Sequence, residues 1–243
     1  MRFLTALFLL PLALAACSKN DATTANVAAA APVAGATAPA GQKWQDVVAK
    51  TEQGYRMGNP DAPVKLVEYG ARLCPGCAQF AATGFKPLID DYVSTGKVSF
   101  EFRDFLIHGP AELALATLGQ CGGTGPFFPI LEQTYANQQS FVDKWQAMTP
   151  AQQQTAGKSP GQIMTDYATA MGAIDFVKQR GIPEDKARAC LKDEKTLNDI
   201  TAVTEKAGGD GTVTSTPTVI VDGKPVENPT WDNVSQALKA AGA

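Results

Sequence analysis

From Trp44 onward the spacing of apolar residues switches between a two-residue and a three-to-four-residue period, and each switch marks an element. Val64 to Ala71 (VKLVEYGA) is rich in β-formers and follows the turn cluster GNPDAP at Gly58 to Pro63, which predicts a strand. From Cys74 to about Tyr92 the residues Phe80, Phe85, Leu88, Ile89 and Tyr92 recur at helical spacing, and Gly84 and Pro87 inside that run predict a kink or break. Lys97 to Phe105 (KVSFEFRDF) alternates apolar and polar positions, a second strand. Between about Ala111 and Ala207 the stretches 111–121, 126–138, 160–172, 173–181, 183–193 and 195–209 all read as helices, with Pro110, Pro126, Pro160 and Pro183 near starts and glycines near several ends. Thr218 to Val221 is a short β-rich run, Asp222 and Gly223 make a hairpin turn into a return strand at Lys224, and an amphipathic helix from about Trp231 to Ala240 closes the chain.

Strand, helix, strand, a long helical block, hairpin and helix give an α/β chain, with a βαβ unit interrupted before its hairpin. Cys74 and Cys77 (CPGC) fall where the first strand hands over to its helix, and open α/β sheets carry reactive groups at such strand ends. A sulfur at a helix N-terminus meets unpaired N–H groups and the positive end of the backbone dipoles, so Cys74 is expected to ionise easily and attack disulfides. Cys77, one turn on, is expected to be shielded and to resolve the mixed disulfide. Two other uses of the pair stay open. A zinc site would need Cys121 and Cys190 as well, which are scattered where zinc sites usually show a second short pair. A frozen structural staple would leave only a binding module.

The order of elements, CPGC, and Thr216-Pro217-Thr218 ahead of the hairpin together resemble the DsbA-like branch of the thioredoxin superfamily, over about residues 44–243. The resemblance implies a thioredoxin fold interrupted by an all-helical insertion at about 108–208. It implies a protein thiol:disulfide oxidoreductase that needs no cofactor beyond its cysteines. It implies that Thr216 and Pro217, the latter in cis, lie against Pro75 and Gly76 and pair with extended substrate backbone, and that Glu68 is a buried acid exchanging protons with the resolving thiol. Many proteins of this branch have a histidine immediately before the second cysteine. Here that position is Gly76, and the expectation is a milder redox couple. Thr216 resembles the isomerase relatives in the same way, and the ranking is disulfide-forming oxidase first, reductase or isomerase next. The implied partners are unfolded or cysteine-containing secreted proteins and a membrane redox protein that recycles the pair. The alternative of another class is a non-catalytic peptide-binding or chaperone module. Arg103 is expected either to pair with Glu68 or to be a surface charge, and His108, the only histidine, to be a loop residue rather than a base.

The N-terminus sets the compartment. Residues 1–16 (MRFLTALFLLPLALAA) carry one positive charge and an apolar stretch too short to span a bilayer, a secretory signal. Leu14 to Cys17 (LAAC) resembles a bacterial lipobox, which implies an acylated Cys17, and Ser18 after it implies the outer rather than the inner membrane. Residues 17–43 are Ala, Thr, Pro and Gly with few large apolar side chains, a composition expected of a flexible tether to a periplasmic domain. The remaining four cysteines are an even number, as an oxidising compartment favours, and a bridge between Cys121 and Cys190 would close a loop of roughly 70 residues, worth roughly 4 kcal/mol in the chain-entropy account. The 243-residue length is enough for one sizeable core. A net charge of -3 with no long run of either sign gives no nucleic-acid surface.

Overall fold

The computed structural model describes Ala30–Ala243. The signal segment, Cys17 and the first part of the expected tether lie outside the described residues. Six strands form one sheet: β1 (Val48–Lys50), β2 (Tyr55–Met57), β3 (Val64–Gly70), β4 (Val98–Asp104), β5 (Thr218–Val221) and β6 (Lys224–Pro225), in the order β1-β2-β4-β3-β5-β6. The central pair β3 and β4 is parallel, with Glu68 opposite Phe102 and Gly70 opposite Asp104, and all other pairs are antiparallel. This is the thioredoxin arrangement, α/β, with a helical block between β4 and β5.

α1 (Pro75–Phe80) links β3 to β4 and does not break at Gly84 and Pro87. It widens into π turns over Ala81–Phe85 and Leu88–Tyr92 and ends at Gly96 with φ 74°. Pro87 has no N–H to give to the helix ladder, and widened turns accommodate such a gap without ending the helix. The block then runs through α2 (Gly109–Gln120), α3 (Phe127–Ala136), α4 (Gln138–Gln146), α5 (Pro150–Gln153), α6 (Pro160–Ala170), α7 (Ala173–Lys178), α8 (Glu184–Cys190) and α9 (Glu194–Gly209), and α10 (Trp231–Ala240) follows the hairpin. Its Asp222–Gly223 turn has both φ values positive, 47° and 77°, as a two-residue hairpin requires.

Two cores result. One lies between the sheet and α1, α3 and α10, built on Leu66, Phe80, Phe100, Phe102, Phe127 and Leu238. The second fills the helical block around Leu115, Leu118, Phe141, Met171 and Leu191. Cys121, at the end of α2, is bonded to Cys190 at the end of α8, with Cα atoms 5.8 Å apart. That bond takes both sulfurs out of the four-cysteine zinc set.

Three features differ from the sequence expectations. The β1–β2 hairpin escaped notice because three-residue strands show no alternation; its turn is held by Thr51 Oγ1 accepting from Gly54 N–H at 2.9 Å, and a side chain at Gly54 would run into the Phe102 carbonyl. α4 was unmarked because Asn137 serves as both the end of α3 and the start of α4 with no glycine or proline between them, and α5, a four-residue turn capped by Thr149, is too short to show a helical period. Residues 30–42, assigned to the tether, lie against the domain: Ala30 N–H donates to Ala240 O, Val33 N–H to Gly242 O and Ala36 N–H to Thr95 O, and the Trp44 indole donates to Ala36 O. Backbone pairing needs no large side chain, so composition alone misses it.

Candidate active site

β3 ends at Gly70, and four residues later Cys74 caps α1 in an extended conformation (φ -82°, ψ 120°), with Pro75 at the first helical position. Proline suits that place, since its φ is already helical and it has no N–H to leave unpaired. The turn is clamped from the helical block. Glu112 on α2 accepts the Leu73 N–H at 2.9 Å, and Gln138 on α4 donates to the Arg72 and Cys74 carbonyls at 3.0 and 2.9 Å. Beneath it Arg72, fully buried, donates to both carboxylate oxygens of Asp104 at 2.7 and 3.2 Å and lies over the rings of Phe102 and Phe127.

Both thiols are free. Cys74 is 5% exposed and Cys77 0%. Cys74 Sγ donates to the Thr216 carbonyl at 3.2 Å, and the Thr216–Pro217 peptide is cis. Pro217 packs so closely that a Cβ on Gly76 would stand 3.1 Å from its Cδ and 3.7 Å from Cys74 Sγ. The expected group of Cys74, Pro75, Gly76, Cys77, Thr216 and Pro217 is therefore brought together, although Thr216 lies 142 residues from Cys74. An open cleft lined by Gly76, Phe80, Pro217, Pro229 and Trp231 runs alongside.

The two sulfurs differ sharply in proton affinity. The Cys77 side chain, the Thr216 side chain and the N–H groups of Cys77 and Gly76 support the anion on Cys74 against the cost of burial, and its pKa falls to about 5. Burial, first, and then the hydrogen bond to Cys74 push the Cys77 thiol far up, while the Ala71 N–H donates to its sulfur at 3.4 Å. Glu68 is wholly buried. Neither carboxylate oxygen meets a partner among the described residues, and burial followed by the nearby Cys74 raises its pKa well above the usual range.

Arg103 does neither of the two things expected of it. It lies on the other face of the sheet from Glu68, half-buried, and donates to Glu101 at 2.9 Å and to Gln53 and the Tyr69 hydroxyl at 2.6 Å. Residues alternate faces along a strand, so neighbouring strands alone did not imply contact. His108 precedes α2 and pairs through Nδ1 with Glu112 at 2.8 Å, a hydrogen bond that raises its pKa. Sequence reasoning missed Arg72, Asp104, Glu112 and Gln138. The first three carried a signal, being charged residues inside or beside apolar runs (ARLC, FEFRDF, AELALA).

Residues 50–240 match the family model described as thioredoxin. A protein of Rickettsia bellii (strain RML369-C), carrying the name protein-disulfide oxidoreductase, is 26% identical over 190 residues, 78% of this chain. The chain spans 65% of that relative's length. Among solved structures, a protein-disulfide isomerase from Novosphingobium aromaticivorans superposes with TM-score 0.70 at 24% identity, covering 75% of this chain and 94% of the other. Wolbachia pipientis alpha-DsbA1 gives 0.57 at 18%, covering 75% and 87%. Likeness at these identities is likeness of fold.

Proposed function

The chain belongs to the thioredoxin family, and from that premise we propose that it is a protein thiol:disulfide oxidoreductase whose Cys74–Cys77 pair exchanges a disulfide with cysteine-containing secreted proteins, chiefly to form disulfides in them. The observation that carries this reading is the placing of Cys74 Sγ at the mouth of α1, 3.2 Å from the carbonyl that precedes a cis proline, with Cys77 sealed behind it. In the forming direction a substrate thiolate attacks Cys74 Sγ of the oxidised pair. Cys77 leaves as a thiolate and takes the proton of Glu68, whose raised pKa keeps it protonated until then. A second substrate thiolate attacks the first substrate sulfur, and Cys74 departs as a stable anion. Thr216 and Pro217 hold extended substrate backbone along the apolar cleft, with Gly76 in its wall and Pro75 next to it at the start of α1.

A low pKa on the departing thiol stabilises the reduced enzyme and so makes the disulfide form the stronger oxidant. The value of about 5 for Cys74 falls between DsbA's about 3.5 and thioredoxin's about 7, which favours an oxidase of moderate strength. Two electrons then remain on the pair, and a membrane redox partner is the proposed acceptor. The place of work is the periplasm, with the lipid on Cys17 holding the domain at the outer membrane; among the described residues no helix is long and apolar enough to cross a membrane. The test is the equilibrium between the pair and glutathione, read by trapping thiols. A potential well above thioredoxin's about -270 mV supports the oxidase direction, and one at or below it assigns the protein to the reductases.

A further inference from the structure

The two helices that clamp the reactive turn, α2 and α4, also hold the chain's single histidine beside it. His108 stands just ahead of α2, and its Nδ1 pairs at 2.8 Å with one oxygen of Glu112, whose other oxygen accepts the Leu73 N–H at 2.9 Å. One buried carboxyl group thus spans the gap between the imidazole and the residue before Cys74. From α4, whose Gln138 donates to the Cys74 carbonyl, Trp145 packs edge-on against the imidazole with ring centroids 5.1 Å apart. The ring is fixed from two sides, while 28% of the side chain stays open to water. Within the motif neither Pro75 nor Gly76 carries a charge, and Arg72, the other cation at the turn, is neutralised by Asp104.

We infer that His108 is a positioning residue for the charge on Cys74: held by Glu112 beside the turn, its imidazole takes up a proton when the Cys74–Cys77 disulfide is reduced, and as imidazolium it steadies the thiolate. The inference rests on Cys74 being the anionic member of a disulfide-exchanging pair, and deepens that reading. The proton balance asks for such an acceptor. A substrate dithiol that becomes a disulfide gives up two electrons and two protons. Both electrons go to the pair, one proton ends on Cys77, and the other is set free because Cys74 stays ionised. His108 takes a share of it and water the rest, as suits a side chain that titrates near neutrality. The start of a helix disfavours a cation, and Glu112 offsets this. Its hydrogen bond raises the His108 pKa most, burial opposes the rise, and the charges of Glu112 and Cys74 add to it. On α4, Lys144 Nζ lies against Gly172 and Asp143 accepts from Gln139, so both are engaged elsewhere. Of the charges acting on the ring, that of Cys74 is the one that comes and goes with the redox state.

A chain with one histidine gives one imidazole C2–H resonance in proton NMR of the untagged protein. Followed from about pH 5 to 9, its midpoint should lie about half a pH unit higher in the reduced form than in the oxidised one, the order expected of one charge acting across a partly exposed gap. Cys77→Ala, which keeps the Cys74 thiolate, should show the higher midpoint, and Cys74→Ser the lower. Coupling between two sites is reciprocal, so His108→Gln should raise the midpoint of Cys74 alkylation by a similar amount. Equal midpoints in the oxidised and reduced wild type, with Cys74 still alkylating as an anion below neutral pH, overturn the coupling and leave the oxidoreductase reading intact. A Cys74 that alkylates only above about pH 8 removes the thiolate, and both fall together. A high midpoint retained in Cys74→Ser assigns the shift to the fold rather than the sulfur and overturns the inference as well. The central comparison uses the wild-type protein, so no variant has to fold for it to decide.

Discussion

Acidification should weaken the dithiol form of this protein through Cys74. A thiol held near 5 in the folded chain and near 8.5 in the unfolded one binds fewer protons when folded across that window, so stability rises with pH between the two values. The contribution is fully present above the unfolded value and is lost as pH falls through the folded one. Its size is roughly 5 kcal/mol at the alkaline end and roughly 3 kcal/mol at pH 7. Glu68 and His108, whose pKa values are raised, act with the opposite sign, and Cys74 contributes to both shifts, so the difference between wild type and Cys74→Ser reads the Cys74 thiol together with that coupling. Urea unfolding of the two reduced proteins at intervals from about pH 5 to 9, with Cys121–Cys190 kept intact, gives that difference at each pH. It should grow steadily toward alkaline pH. A flat difference, or one that grows in acid, would refute the assignment of an anionic Cys74.

Two further outcomes follow from the packing. Replacing Cys121 and Cys190 together by serine should cost roughly 4 kcal/mol of stability by chemical denaturation while the alkylation midpoint of Cys74 holds, because the bond joins α2 to α8 within the helical block. Asp104→Asn leaves the buried Arg72 guanidinium without its counter-charge and should destabilise by roughly 3 to 5 kcal/mol, a larger loss than any surface ion pair such as Lys195–Asp199 would give on neutralisation; equal losses would contradict the burial of the pair.

The fold was legible because its signals are local: KVSFEFRDF alternates, Asp222-Gly223 fits a hairpin turn, and CPGC follows a strand. The cysteine pair and its distant proline were legible as a motif with a recognisable order. What surrounds them was not, since it depends on contacts between elements far apart in the chain. Gln138 reads as an ordinary helix residue and Glu112 stands out only as a charge in an apolar run, yet they hold the Leu73 N–H and the Cys74 carbonyl in place. The helical block thus fixes the turn that carries Cys74. Arg103 shows the converse limit: it sits one residue from Phe102, the partner of Glu68 in the ladder, and that single step turns it to the opposite face.

The most direct test of Cys74 as the attacking sulfur and Cys77 as the resolving one is a trap. Cys77→Ala incubated with a scrambled disulfide protein, quenched with acid and digested, should accumulate substrate joined to the chain through Cys74, and Cys74→Ser should accumulate none. Absence of any adduct on Cys77→Ala, or adducts only through Cys121 or Cys190, would contradict the account.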